Sequence, residues 1–206
     1  MNVLILGASG RVGRKLVQYA LKDGYDVKAF VRNPEKLHAF HEKLTIFQGD
    51  ARSREDIFNA IKNVDAVIST LSTDKTTTLT DSIPLVIEAM KQENISRIIT
   101  VGTAGILNSR TNPELLRYQS SESKRKLTRA AEEHEKVFRL LEQSQLDWTI
   151  VCPTYLPDGD YTGTYRVEQN RLPEAGKEIS VADTAEFTYH QLNSDKFLRT
   201  RVGICY

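Results

Sequence analysis

The chain has 206 residues, 28 basic and 27 acidic side chains, a formal net charge of +1, and 40% hydrophobic against 27% charged residues. That size suits one substantial α/β core, a single domain over 1–206, and the balanced charge gives no reason to invoke nucleic acid or an anionic membrane as partner. No apolar run approaches the roughly 20 residues needed to cross a bilayer; the N-terminus shows no signal-peptide pattern; and Cys152 and Cys205 form neither a CxxC nor a zinc pattern, so a reduced cytoplasmic setting without a metal is expected.

Residues 3–6 are a short, fully apolar run, as expected of a central parallel strand covered on both faces. Glycines at 7 and 10 break it. Val12, Leu16, Val17, Ala20 and Leu21 then recur at helical spacing, and Gly24 closes that helix. Residues 26–31 are a second strand and 44–47 a third, followed by Gly49-Asp50. Ile57, Ala60 and Ile61 mark the next helix. Strands follow at 66–68 and 98–101, with a helix between them ending near Glu93. Pro84 falls inside that helix, so a kink, or a start near the proline, is expected. Residues 102–123 read as a long loop. A helix from about Ser123 to Ser144 follows, apolar at Leu127, Ala130, Ala131, Val137, Phe138 and Leu141, with a solvated opposite face. Residues 148–152 are a sixth strand, 153–180 a small cap of loops and short strands, 182–192 a late helix and 201–205 a last strand. Alternating strand and helix predict a doubly wound parallel α/β sheet of the Rossmann type.

The stretch LILGASGRVGRKL places Gly7, Gly10 and Gly13 between the first strand and the first helix, inside the first βαβ unit. There the pattern has a physical meaning. Gly7 permits the tight turn, Gly10 lets a pyrophosphate approach the backbone, and Gly13 lets the helix lie close to the sheet. The helix start around Ser9, Arg11 and Val12 presents unpaired N–H groups to phosphate. The competing reading is a glycine turn that binds nothing.

Where an NAD site carries an acidic residue after the second strand, this chain has Arg32. A guanidinium there can bond a 2′-phosphate, and Arg11 can add a second cation. NADP(H) is therefore the preferred cofactor and NAD(H) the alternative; a solvated surface arginine is the bland explanation.

GASGRVG, Arg32, Gly49-Asp50 and RIITVGTAG at 97–105 resemble the atypical short-chain dehydrogenase/reductase superfamily. The branch is the NAD(P)H-binding, NmrA-like one, whose members are labelled NADH-flavin reductases or sugar epimerases, with biliverdin reductase B nearby. LLEQSQLDWTIVCPTYLPDG at 140–159 and ISVADTAEFTYHQL at 179–192 extend the resemblance over essentially the whole chain. It implies that Asp50 and Ala51 lie by the adenine. It also implies Thr70, Leu71 and Ser72 along the ribose and pyrophosphate path, Gly102, Thr103 and Ala104 near the nicotinamide, and Pro153, Thr154 and Tyr155 on its other side. Related chains commonly have an arginine before that proline; here it is Cys152.

The superfamily's Tyr-x-x-x-Lys proton-transfer pair is missing. No tyrosine has a lysine four residues on, and Tyr118 has Glu122 there. That argues against a sugar epimerase or dehydratase. Two catalytic candidates remain. Thr103 can orient a substrate carbonyl with its hydroxyl, or merely cap its loop. His134 shares the apolar stripe of its helix and can donate a proton near neutral pH, or be a satisfied core histidine. His38, His41 and His190 show no partner pattern. Tyr155, Tyr161 and Tyr165 could wall an acceptor ring or simply pack the cap. The expected function is an oxidoreductase passing a hydride from NADPH to a flavin or quinone-like acceptor, with a monomer or homodimer both compatible. The alternative is an NADP(H)-binding redox sensor that reports to a protein partner without turnover.

Overall fold

The computed structural model describes residues 1–37, 39–74, 76–123 and 127–206. Among these, eight strands and five α-helices occur in chain order: β1 (Asn2–Leu6), α1 (Arg11–Lys22), β2 (Asp26–Val31), β3 (Leu44–Gln48), α2 (Arg54–Ile61), β4 (Ala66–Ser69), α3 (Thr78–Gln92), β5 (Arg97–Val101), α4 (Arg129–Gln143), β6 (Asp147–Pro153), β7 (Arg166–Gln169), α5 (Val181–His190) and β8 (Thr200–Cys205). They form one sheet in the order β3-β2-β1-β4-β5-β6-β8-β7. Every pairing is parallel except that of β7 with β8. The chain winds outward from β1 to β3, then returns to β4 on the other side of β1. Its switch point therefore lies between β1 and β4, where a doubly wound sheet opens a crevice at the carboxyl ends of its strands.

The continuous apolar character of the strands follows from burial on both faces. Leu4, Leu6, Val67 and Ile98 pack toward α2, α3 and α4. Val3, Ile5, Ile68, Ile99 and Val151 pack toward α1 and α5. Each fully buried Leu or Ile contributes about 1.5–3 kcal/mol relative to exposure, so the two layers together hold the sheet. Among the described residues no helix is long and apolar enough to cross a membrane.

Three expectations change. The helix carrying Pro84 begins at Thr78, six residues before the proline, so of the two alternatives the start near the proline is the one that falls. Pro84 is exposed, so the missing N–H lies on the outer side of the helix. Helix α4 begins at Arg129 rather than near Ser123, and Leu127 is 85% exposed instead of part of the apolar stripe. Leu127 precedes the cap residue Thr128, so the helical period does not reach it. On the face expected to be solvated, Glu133 is only 4% exposed. It accepts from the Thr80 hydroxyl on α3 and from Lys136 Nζ at 3.1 Å. Burial pushes its carboxyl up, and those hydrogen bonds more than offset it and hold it below the usual range.

The expected 102–123 loop contains two short 3₁₀ turns, at Ala104–Ile106 and Arg117–Gln119. The 153–180 segment holds the edge strand β7. It is tied to α5 by the fully buried Asp183 in the first turn of that helix, whose N–H is capped by Ser180 Oγ at 3.0 Å. Its carboxylate accepts from the backbone N–H groups of Thr162 and Gly163, both at 2.9 Å, and from Tyr206 Oη at 2.6 Å.

Candidate functional site

A cleft of about 890 Å³ opens at the switch point of the sheet. Its walls bring together Gly7, Ser9, Gly10, Arg11 and Val12 from the first turn, Arg32 after β2, and Asp50 and Ala51 after β3. Thr70, Leu71 and Ser72 after β4, Gly102 after β5, and His134 of α4 complete them. These segments are far apart in sequence. Parallel pairing puts all their carboxyl ends on one edge of the sheet.

The three glycines of the first turn have separable reasons. Gly7 has φ +79°, a left-handed conformation that side chains disfavour. A Cβ on Gly13 would lie 2.3 Å from the Gly7 carbonyl oxygen and 2.9 Å from Ala8 Cα. Gly13 is thus a packing requirement of α1 against the turn and sits outside the cleft wall. A Cβ on Gly10 would meet only the Gly7 oxygen, at 3.2 Å. The protein's own packing asks little of that position. Gly10 lies on the cleft wall, where the missing side chain leaves the backbone open. Gly10 caps α1 without a side-chain hydrogen bond, and the first turn of α1 carries no acidic residue. This end of the helix suits an anion. Thr70 Oγ1 closes the turn from the far side, donating to the carbonyls of Leu6 at 3.0 Å and Gly7 at 3.1 Å.

Two arginines flank this turn, and each is engaged. Arg11 Nη1 donates to the Leu156 carbonyl at 3.0 Å and to Asp158 Oδ1 at 3.1 Å, joining the glycine turn to the segment after β6. Arg32 forms an ion pair with Asp74. Asp74 also accepts from Ser72 Oγ at 3.0 Å and holds φ +48°. At the far end, Asp50 is gripped by Arg52, whose hydrogen bonds hold the Asp50 carboxyl below the usual range. The sequence reading missed Asp74, Leu156 and Asp158. The available signal for Asp74 was weak: an aspartate in a polar turn tolerates the left-handed conformation better than most residues.

The other candidates fall differently. His134 is half-buried and faces two spaces. One is the cleft, and the other is a small pocket of about 20 Å³ that it shares with Ser69, Ser82 and Thr100. Thr103 is 8% exposed and is not on the cleft wall. Its Oγ1 accepts from Gly105 N–H at 3.4 Å, the geometry of a turn cap. Pro153, the last residue of β6, and Thr154 and Tyr155 after it lie outside the wall, and the neighbouring Leu156 supplies the contact instead. Tyr155 and Tyr161 are 68% and 57% exposed, and Tyr165 turns away to donate to Glu186 Oε2 and pack edge-on against Phe187. None of the three lines the cleft. Tyr118 Oη donates to Glu135 Oε2 at 2.6 Å, and burial together with that bond pushes its phenol up. It is a poor proton relay. His41 and His190 bond locally, to Lys43 N–H and to Glu186; His38 lies outside the described residues. Among the described residues no three His, Cys, Asp or Glu side chains are placed to hold a metal ion.

A family model described as NAD(P)H-binding matches residues 7–195. The chain belongs to that family. The glycine turn, the open side of Gly10 and the uncapped start of α1 fit a dinucleotide. Among solved structures, the chain is similar to a candidate epimerase from Bacteroides thetaiotaomicron, with 29% identity over 100% of this chain and 96% of that one and a TM-score of 0.86. A candidate NADH-flavin reductase from Streptococcus pneumoniae is 24% identical over 100% and 99%, with a TM-score of 0.83. A short-chain dehydrogenase/reductase from Veillonella parvula in complex with NADP is 19% identical over 100% and 94%, with a TM-score of 0.77. The chain spans 19% and 34% of the length of the first curated relatives that it matches.

Proposed function

We propose that the protein is an NADPH-dependent reductase that delivers a hydride to a flavin or quinone-like acceptor. The observation that carries the reading is the cleft. It joins the phosphate-binding turn of α1, Arg32 at one end and His134 at the other. A bound reduced nicotinamide would supply the hydride. The backbone N–H groups of the first turn of α1 would hold the pyrophosphate, and Arg32 the 2′-phosphate. Gly102, after β5, would let the nicotinamide end lie close to the sheet. The acceptor gains a hydride and a proton, and His134 on the cleft wall would give that proton. Thr103 would act through the backbone of its turn. Little else is asked of the protein in such a transfer, which fits the missing Tyr-x-x-x-Lys pair.

The likeness to a candidate NADH-flavin reductase and to an NADP complex supports this reading. A sugar epimerase is disfavoured because Tyr118, the nearest tyrosine in place, is committed to Glu135. That same commitment favours a second reading, a redox sensor that binds NADP(H) without turnover. Purified protein, NADPH, and FMN, FAD or a small quinone decide between them. Loss of the reduced-nicotinamide absorbance above the protein-free rate, abolished by Gly10→Val, supports the reductase. Tight NADPH binding with no turnover supports the sensor. No NADPH binding overturns both.

A further inference from the structure

We infer that Asp74 is a specificity-determining residue, a built-in carboxylate competitor that limits how strongly Arg32 favours a 2′-phosphorylated dinucleotide. The inference rests on the assignment of the cleft to a dinucleotide. Arg32 is the cation placed after β2, where the adenosine ribose of such a ligand lies. Its guanidinium is held by Asp74 from the β4–α3 connection. Asp74 is not there by chance of a flexible side chain. Its backbone takes the left-handed conformation at φ +48°, and Ser72 Oγ donates to its other oxygen at 3.0 Å. Both Ser72 and Asp74 are on the cleft wall with Arg32. The connection thus presents an oriented carboxylate to the arginine after β2 that would read the phosphate.

The chemistry has two consequences. A 2′-phosphate carries nearly two negative charges near neutral pH and needs the same N–H donors that the carboxylate occupies. To reach Arg32 it must displace Asp74 or share the guanidinium with it, and the remaining carboxylate repels it. A 2′-hydroxyl is neutral and can donate to Asp74 while Arg32 stays paired. The pair therefore penalises NADPH and tolerates NADH, and it narrows the preference that Arg32 alone would create. The exposed position of the pair makes the effect moderate and sensitive to salt.

The test is equilibrium binding, followed by intrinsic fluorescence or calorimetry, of NADPH and NADH to the intact protein and to Asp74→Asn and Arg32→Ala variants. Asparagine keeps the left-handed turn accessible and removes the charge. Asp74→Asn should tighten NADPH by roughly three- to tenfold, leave NADH within about twofold, and show this gain shrinking as salt is raised. If Asp74→Asn leaves NADPH affinity unchanged, or weakens it as loss of a residue that merely positions Arg32 would, the inference is overturned. Arg32→Ala tests the underlying assignment separately. Weaker NADPH binding with unchanged NADH binding sustains the assignment, whatever Asp74→Asn does. Equal binding of both nucleotides by the native protein and by Arg32→Ala removes the assignment, and the inference with it.

Discussion

The carbonyl oxygen of Gly7 lies 2.3 Å from where a Cβ on Gly13 would stand. The oxygen is backbone and a Cβ has its position fixed by the backbone, so neither can swing aside. Gly13→Ala should therefore destabilise the protein by about 3 kcal/mol, seen as a fall in Tm of roughly 6–12 °C. Gly10→Ala should change stability by less than about 1 kcal/mol, because its Cβ meets a single atom at 3.2 Å. It should weaken dinucleotide binding by roughly tenfold or more. Thermal unfolding and cofactor titration on the two variants separate the glycine of the fold from the glycine of the ligand. Equal Tm losses would contradict the separation.

His134 stands on the cleft wall, whereas Thr103 caps a turn behind it. If His134 gives the proton, His134→Gln should lower acceptor-dependent NADPH oxidation by about 10²-fold while NADPH affinity stays within a few fold. Thr103→Val should show up first in stability, because it deletes a buried turn cap. A His134→Gln protein with full turnover would remove the histidine from the chemistry.

Asp183 links the cap to α5 and the C-terminus. Burial raises its carboxyl, but the donors Tyr206, Gly163 and Thr162 outweigh burial, and the group ionises below its ordinary value. A depressed folded-state value stabilises the fold above the unfolded-state value of about 3.9. That stability is lost as pH falls through the lower folded value. Asp183→Asn should cost about 3 kcal/mol at neutral pH, since it turns an amide donor toward hydrogen-bond donors. Chemical denaturation should show the gap between native and variant protein closing only below about pH 4. A gap that is constant down to pH 3 would refute the role of the charge.

Cys152 is fully buried, and burial pushes its thiol up to about 12. Cys205 is also buried, and burial raises its thiol too, against the nearby Arg166. A buried thiol held protonated in this way is a poor nucleophile near neutral pH. A thiol-reactive chromophore should titrate no cysteine in the native state and two after unfolding. Rapid labelling of native protein would show that edge strand β7 opens away from β8.

The layered fold was legible in the sequence because its signals are local. Four-residue apolar runs mark strands buried on both faces, a 3.6-residue period marks the helices, and three glycines at fixed spacing mark a strand-to-helix turn. Edge strand β7 was expected only as one of the short strands of the cap, without bounds, because Arg166–Gln169 is short, polar and half-exposed, with no apolar run to mark it. The start of α4 was misplaced because Leu127 matches the helical period while lying outside the helix.

What the order of residues carried was the βαβ rhythm, the glycine turn and the arginine after β2, since each depends on neighbours within a few positions. What folding alone decided was the company those residues keep. Arg32 meets Asp74, 42 positions away, and Arg11 meets Asp158, 147 positions away. Neither pairing leaves a trace in local composition, because the parallel winding of the sheet, not the sequence around either residue, brings distant loops to the same carboxyl edge.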